Sequence, residues 1–232
     1  PAPATFISEA VELSQYAESI GASGVVHTVP EAVVPEGDQT VEDVFLRYFE
    51  AIAQATRLPI FIYQPPGTDP RYLLTPSLLA RLADMDTVAG AKVANTNAEY
   101  LFELARATRG KDFAFITGAE TAMYTTVSLG SRAAIAGGSA VNPRILRLLI
   151  ERYEQDDWPG VLEAQESINR LLFACSNPVD FLKLYATEKG YPVGVHTRIH
   201  PNNPYVVDRE PLTETEYTTF KVLLESELAR YT

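Results

Sequence analysis

Apolar positions along the chain alternate between two periods. Ala10, Leu13, Ala17 and Ile20 recur at helical spacing and Gly21 closes the run, so a helix is expected over Ser8 to Ile20. Gly24 to Val29 then reads as a strand. Thr40 with Asp43 forms a capping pair ahead of Val44, Phe45, Tyr48, Phe49 and Ile52, which share one helical face. Leu58 to Tyr63 is a strand ended by Pro65-Pro66-Gly67. Thr75-Pro76 opens a helix, Thr87 to Lys92 is a strand, and Asn97 to Thr108 a helix. Phe113 to Thr117 is expected as a strand, Glu120 to Leu129 as a helix, and Arg132 to Ala136 as a fifth strand ended by Gly137-Gly138. From there the pattern is helical only. Asn142-Pro143 opens a capped helix to about Glu154, followed by Val161 to Cys175, Pro178 to Lys189 capped by Asn177, and a last helix boxed by Thr213 and Glu216. Between these, 191–211 carries prolines and reads as irregular.

Strands alternating with helices at this spacing imply parallel βαβ units, in a doubly wound sheet or a (β/α) barrel. The loops after Tyr63, Lys92, Thr117 and Ala136 then share one rim, which in a barrel is where active sites are built. About five strands are legible, roughly three short of a closed barrel. The division expected is 1–158 as the barrel portion and 159–232 as a C-terminal helical segment.

Lys92 carries the most chemistry. It ends an apolar run too short for a helix, so its ammonium sits at the mouth of an α/β core, where burial is costly unless it is paired or neutral. Burial lowers a lysine's pKa, and a neutral amine attacks carbonyls to form a Schiff base. Net charge narrows the partners. At −11, with no Lys/Arg-rich segment, nucleic acid and anionic membranes are poor fits. One cysteine, Cys175, excludes a disulfide framework, suits a reducing cytoplasm, and reads as a buried structural thiol. No apolar run reaches membrane-spanning length.

Several stretches together resemble the dihydrodipicolinate synthase / N-acetylneuraminate lyase family of Schiff-base aldolases. Leu58-Pro59-Ile60-Phe61-Ile62-Tyr63-Gln64-Pro65-Pro66-Gly67 is similar to the strand ending in the family's catalytic tyrosine, and Val88-Ala89-Gly90-Ala91-Lys92 to its Gly-Ile-Lys segment. Phe115-Ile116-Thr117-Gly118, the run from Leu129 to Ile135 with Asn142-Pro143, and Asn177-Pro178-Val179 follow in family order. The resemblance implies a TIM (β/α)8 barrel with a C-terminal helical extension. It further implies that Lys92 forms an iminium with an α-keto acid such as pyruvate and that Tyr63 relays protons. Gly118 would leave room for substrate, the Ile135 carbonyl would face the substrate carboxylate, and Glu120 would meet substrate hydroxyls. An aldehyde partner, a homo-oligomer (tetramer or dimer), no cofactor and no metal are implied as well.

The departures are specific. The family's Gly-Thr-Thr-Gly-Glu segment, which holds the keto-acid carboxylate, is absent. Matching Thr5 to Leu13 with the family's third helix implies that the first three βα units precede this chain, and 191–209 is a long insertion. Where dihydrodipicolinate synthases carry an arginine for their second substrate this chain has Thr68, with Arg71 nearby, and Glu31-Ala32 replaces their rim tyrosines. Lysine biosynthesis is therefore disfavoured, and Ala119 and Thr121 disfavour sialic acid lysis.

Three further readings stay open. Gly137-Gly138 could cradle a phosphate, giving an aldolase for a phosphorylated sugar. The chain could also be a catalytically silent family member used as a binding or regulatory module. His27 is expected to be packed or hydrogen-bonded, and the spacing of His196 and His200 lies in a proline-rich segment that does not favour a metal site.

Overall fold

A computed structural model of the chain describes residues 6–196 and 211–231. Its contacts divide it into two units, Pro1–Ile135 and Ala136–Thr232. The first unit runs α1 (Ile7–Ser19), β1 (Val25–Thr28), α2 (Val41–Ala55), β2 (Ile60–Gln64), α3 (Pro76–Leu82), β3 (Val88–Val93), α4 (Ala98–Ala107), β4 (Ala114–Thr117) and α5 (Met123–Ser128). The four strands form one parallel sheet in the order β1-β2-β3-β4. Local chemistry fixes the starts of its helices. Thr40 and Asp43 make the expected reciprocal capping box on α2, Thr75 caps α3 ahead of Pro76, and Asn97 caps α4.

The sheet has two unlike faces. Ile60, Ile62, Ala91 and Val93 point to one, are at most 1% exposed, and share a core with Phe45, Phe49, Leu78, Leu79, Leu101 and Leu104 of the helices. The other face carries Val26, Phe61, Tyr63, Lys92 and Ala114, none of them fully buried. A register irregularity between Ile60 and Phe61 sorts β3 onto these faces, because Ile60 pairs with Val88 while Phe61 pairs with Gly90. Ala89 is the extra residue, so Val88 joins Ala91 and Val93 on the helix side while Lys92 stays on the other.

Two expectations for this unit are corrected. Arg132 to Ala136 does not form a fifth strand; it contributes one parallel bridge, Ala134 to Thr117. Gly130, at φ 104°, begins a turn in which the Ser131 N–H donates to the Thr126 carbonyl, and β4 ends at Thr117, leaving little length to pair. The helix expected over Glu120 to Leu129 is instead a 3-10 turn, Glu120–Ala122, followed by α5.

The second unit contains α6 (Pro143–Glu154), α7 (Trp158–Ala174), α8 (Pro178–Glu188) and α9 (Glu214–Ala229). α6 packs against α7. Glu227 of α9, 5% exposed, is held by Arg170, Arg230 and the Ser167 hydroxyl at 2.6, 2.9 and 2.7 Å. Phe181 stands edge-on to Phe220 at 4.5 Å. The cap expected from Asn142 is absent: its side chain makes no capping bond and its buried Oδ1 has no partner among the described residues. Asn177 and the Thr213–Glu216 box do cap α8 and α9. Cys175 lies at the end of α7 and is partly buried. Residues 197–210, with His200 and most of the 191–209 insertion, lie outside the described residues.

Candidate active site

β2 and β3 are adjacent and parallel, and their register pairs Tyr63 directly with Lys92 near the C-terminal ends of both strands. Register partners on one face stand about 5 Å apart. The Lys92 Nζ lies 4.1 Å from the centroid of the Tyr63 ring. That contact favours an ammonium. Burial opposes it, and the net effect is a Lys92 pKa pushed below the ordinary lysine value. Lys92 has no carboxylate or hydrogen-bonding partner among the described residues, so the Tyr63 ring is what supports its charged form there. A lysine so placed has a larger neutral, nucleophilic fraction at neutral pH than a solvated one.

Thr28, on the strand to the other side, is the register partner of Tyr63. Its hydroxyl-bearing side chain therefore stands beside the tyrosine on the same face, a placement that only the strand register reveals. Behind this row, Gln64 is 1% exposed. Its backbone carbonyl accepts the Ala94 N–H at 3.0 Å, and its side-chain Oε1 accepts the Leu74 N–H at 2.8 Å and the Tyr100 hydroxyl at 2.9 Å. Neither Gln64 nor Tyr100 was singled out by the sequence, because their contact depends on how the loop after β2 and the start of α4 meet.

The remaining site residues are placed as follows. Gly118 follows β4, and its N–H donates to the Val93 carbonyl at 3.0 Å. A Cβ at Gly118 would come within 2.8 Å of the Val93 carbonyl and the Ala94 nitrogen. The glycine is thus needed for close approach to the strand carrying Lys92. Glu120 is buried at the start of the 3-10 turn after β4. Ile135 is 55% exposed and donates its N–H to the Thr117 carbonyl at 3.0 Å. Thr68 is buried, its hydroxyl donating to the Pro65 carbonyl at 2.8 Å. Arg71 is exposed and paired with Asp69 at 2.7 Å, which holds the Asp69 carboxyl down to about 2. Glu31 accepts the Asp69 N–H at 2.6 Å, tying the loops after β1 and β2 together.

His27 does not share the face of Lys92 and Tyr63. His27 faces the helices, buried between the Ser14 hydroxyl at 2.8 Å and the Tyr48 hydroxyl at 3.3 Å. The backbone carbonyl of His196 accepts from Lys183. Among the described residues no group of three or more His, Cys, Asp or Glu could hold a metal ion. No described helix is long and apolar enough to cross a membrane.

A parallel α/β sheet with a paired lysine and tyrosine at the strand ends defines the class of protein. The Dihydrodipicolinate synthetase family model matches residues 3–226, and the chain belongs to that family. It is 29% identical over 211 residues to the 4-hydroxy-tetrahydrodipicolinate synthase of Dechloromonas aromatica (strain RCB), covering 86% of this chain and 68% of the relative. It is also 29% identical over 174 residues to the enzyme of that name from Anaeromyxobacter dehalogenans (strain 2CP-C), covering 73% and 57%. The chain thus spans between 57% and 68% of the length of these curated relatives. Its fold is similar to that of YagE, a prophage protein of the dihydrodipicolinic acid synthase family from E. coli K12 solved in complex with pyruvate. The TM-score is 0.76 at 24% identity, over 97% of this chain and 72% of that one. A monomeric dihydrodipicolinate synthase variant gives a TM-score of 0.78 at 22% identity, again over 97% and 72%.

Proposed function

We propose that this protein is a Schiff-base-forming lyase, aldolase or dehydratase acting on an α-keto acid such as pyruvate or a sugar-derived keto acid. The observation that carries this reading is the Lys92 Nζ 4.1 Å from the Tyr63 ring centroid, with no carboxylate partner among the described residues and a pKa lowered by burial. In the proposed reaction the neutral Lys92 amine attacks the keto carbon and the carbinolamine loses water to leave an iminium. That cation then takes up the electron pair of the bond broken at the neighbouring carbon. Tyr63 carries the proton to the departing oxygen and recovers it, with Thr28 as its hydroxyl neighbour. No cofactor is required, because the iminium is the electron sink.

The finer assignments belong to the same proposal. Glu120 and the Ile135 carbonyl would meet the substrate's hydroxyls and carboxylate, and Gly118 would serve by bringing β4 against β3. Thr68, its hydroxyl already donated to Pro65, offers no positive charge to a second carboxylate, and Arg71 is occupied by Asp69. The partner aldehyde is therefore read as neutral, unlike the anionic partner that an arginine would hold. The phosphorylated-sugar alternative gains nothing from Asn142, whose unpartnered atom near Gly137-Gly138 is an acceptor and would repel a phosphate oxygen. We read the sheet as part of a (β/α)8 barrel, working in the cytoplasm as a homo-oligomer.

The test is enamine formation. In deuterated buffer the protein should exchange the methyl protons of pyruvate, followed by proton NMR, and Lys92→Arg should not. Exchange that persists in Lys92→Arg would remove the lysine from the mechanism.

A further inference from the structure

We propose that Gln64 is a positioning residue for the Lys92–Tyr63 pair, with Tyr100 as its partner. The inference rests on the Schiff-base reading above and adds what holds the two reacting groups in register.

The geometry is a junction. Gln64 immediately follows Tyr63, and its Cα pairs with Val93, which immediately follows Lys92. Its backbone carbonyl takes the Ala94 N–H at 3.0 Å, joining the exits of both strands just beyond the reacting side chains. Its side chain turns to the helix face, where one oxygen accepts from two elements. The Leu74 N–H at 2.8 Å belongs to the end of the loop after Tyr63, and the Tyr100 hydroxyl at 2.9 Å to the first turn of the helix after Lys92. Tyr100 also lies 2.8 Å from the Leu74 carbonyl, closing a ring of three residues. Gln64 is 1% exposed, so water does not readily replace these bonds.

Removing the side-chain oxygen strands the buried Leu74 N–H and leaves the Tyr100 hydroxyl only the Leu74 carbonyl as acceptor, so both elements lose their common tie to the end of β2. The strand exits are then free to shift, and displacements of about 1 Å at a reacting pair cost on the order of a hundredfold in rate. Burial pushes the Tyr100 hydroxyl up to about 12, so it remains a donor throughout the working range and the junction adds no pH switch of its own.

The experiment compares wild type, Gln64→Met and Tyr100→Phe in single-turnover imine formation with pyruvate, trapped by borohydride at timed intervals and corrected for folded fraction. The limiting rate should fall at least tenfold in Gln64→Met and less in Tyr100→Phe. The half-saturating pyruvate concentration and the midpoint of the pH–rate profile should each stay near the wild-type value. A purely structural role would lower Tm and folded fraction but leave the rate per folded molecule unchanged in both variants, and that result overturns the proposal. No adduct in the wild type overturns the Schiff-base reading and the positioning role with it. An adduct that forms at equal rates in all three proteins overturns the positioning role alone.

Discussion

Lys92 and Tyr63 face one another because adjacent parallel strands end together, and each alters what the other can do. The ring makes the ammonium tolerable beside an apolar strand, while burial pulls the lysine toward its neutral form. Tyrosine alone, at a pKa of about 10, is a weak base at neutral pH and gains its use from such neighbours. Tyr63→Phe should keep Tm within a few degrees while slowing imine formation by roughly 10²–10⁴, the usual weight of a proton-transfer group. Stopped-flow or quench trapping checks this, and a loss under tenfold would contradict the relay role. His27 makes a different prediction. Burial holds it to about 4 against an ordinary 6.5, so between those values the unfolded chain binds a proton that the folded chain refuses. Stability should therefore fall as pH drops from 6.5 toward 4, by up to about 1.4 kcal/mol per pH unit, and level off below. Urea midpoints across that range should show a shallower slope in His27→Gln; parallel curves would show that His27 is not the group. At this scale the strand-end position of Lys92 and a packed His27 were legible from residue type and place in a strand, while Tyr63 was singled out only by the family resemblance. Thr28 and Gln64 were not, because their roles depend on cross-strand register, which sequence spacing does not specify.

Elements are held at unusually short spacing where glycines allow it. A Cβ at Gly118 would sit 2.8 Å from the backbone of Val93 and Ala94, and one at Gly90 2.5 Å from the Ala114 carbonyl. In both places the obstacle is backbone and cannot rotate away. Gly118→Ala should cost about 1–3 kcal/mol in urea denaturation, the range for overpacking a close contact, and should slow imine formation as β4 moves off β3. A neutral effect on both would mean that the strand ends are looser than their hydrogen bonds indicate. Thr40→Ala, which removes one half of a reciprocal box on α2, should cost about 1 kcal/mol without changing the chemistry. Boxes, proline starts and most strand positions were legible because they are local. The fifth strand was not. Arg132 to Ala136 has strand composition, but the Gly130 turn and the end of β4 leave it a single bridge. Asn142-Pro143 has the composition of a cap, yet the Asn142 side chain makes no capping bond.

At the scale of the whole molecule the sheet is asymmetric, dense against its helices and open where the reacting pair lies. Val26 is 39% exposed on that face, and the outer edge of β1 has no strand partner among the described residues. Alternating strands and helices made the parallel sheet legible, whereas the packing of α6 on α7 is a tertiary preference with no local signature. Rim chemistry at this scale bears on the second substrate. With Arg71 taken by Asp69 and Thr68 turned to Pro65, neutral aldehydes should react with the unreduced keto-acid enamine proposed on Lys92 faster than anionic ones at low salt. A side-by-side rate comparison would reverse that order if an unpaired cation guards the site. The central claim is that Lys92 becomes covalently bound to a keto acid. Incubation with pyruvate, borohydride reduction and peptide mapping by mass spectrometry tests it directly. A Schiff-base lysine gives one reduced adduct on Lys92, absent from Lys92→Arg; an unmodified Lys92, or an adduct confined to other lysines, would contradict that role.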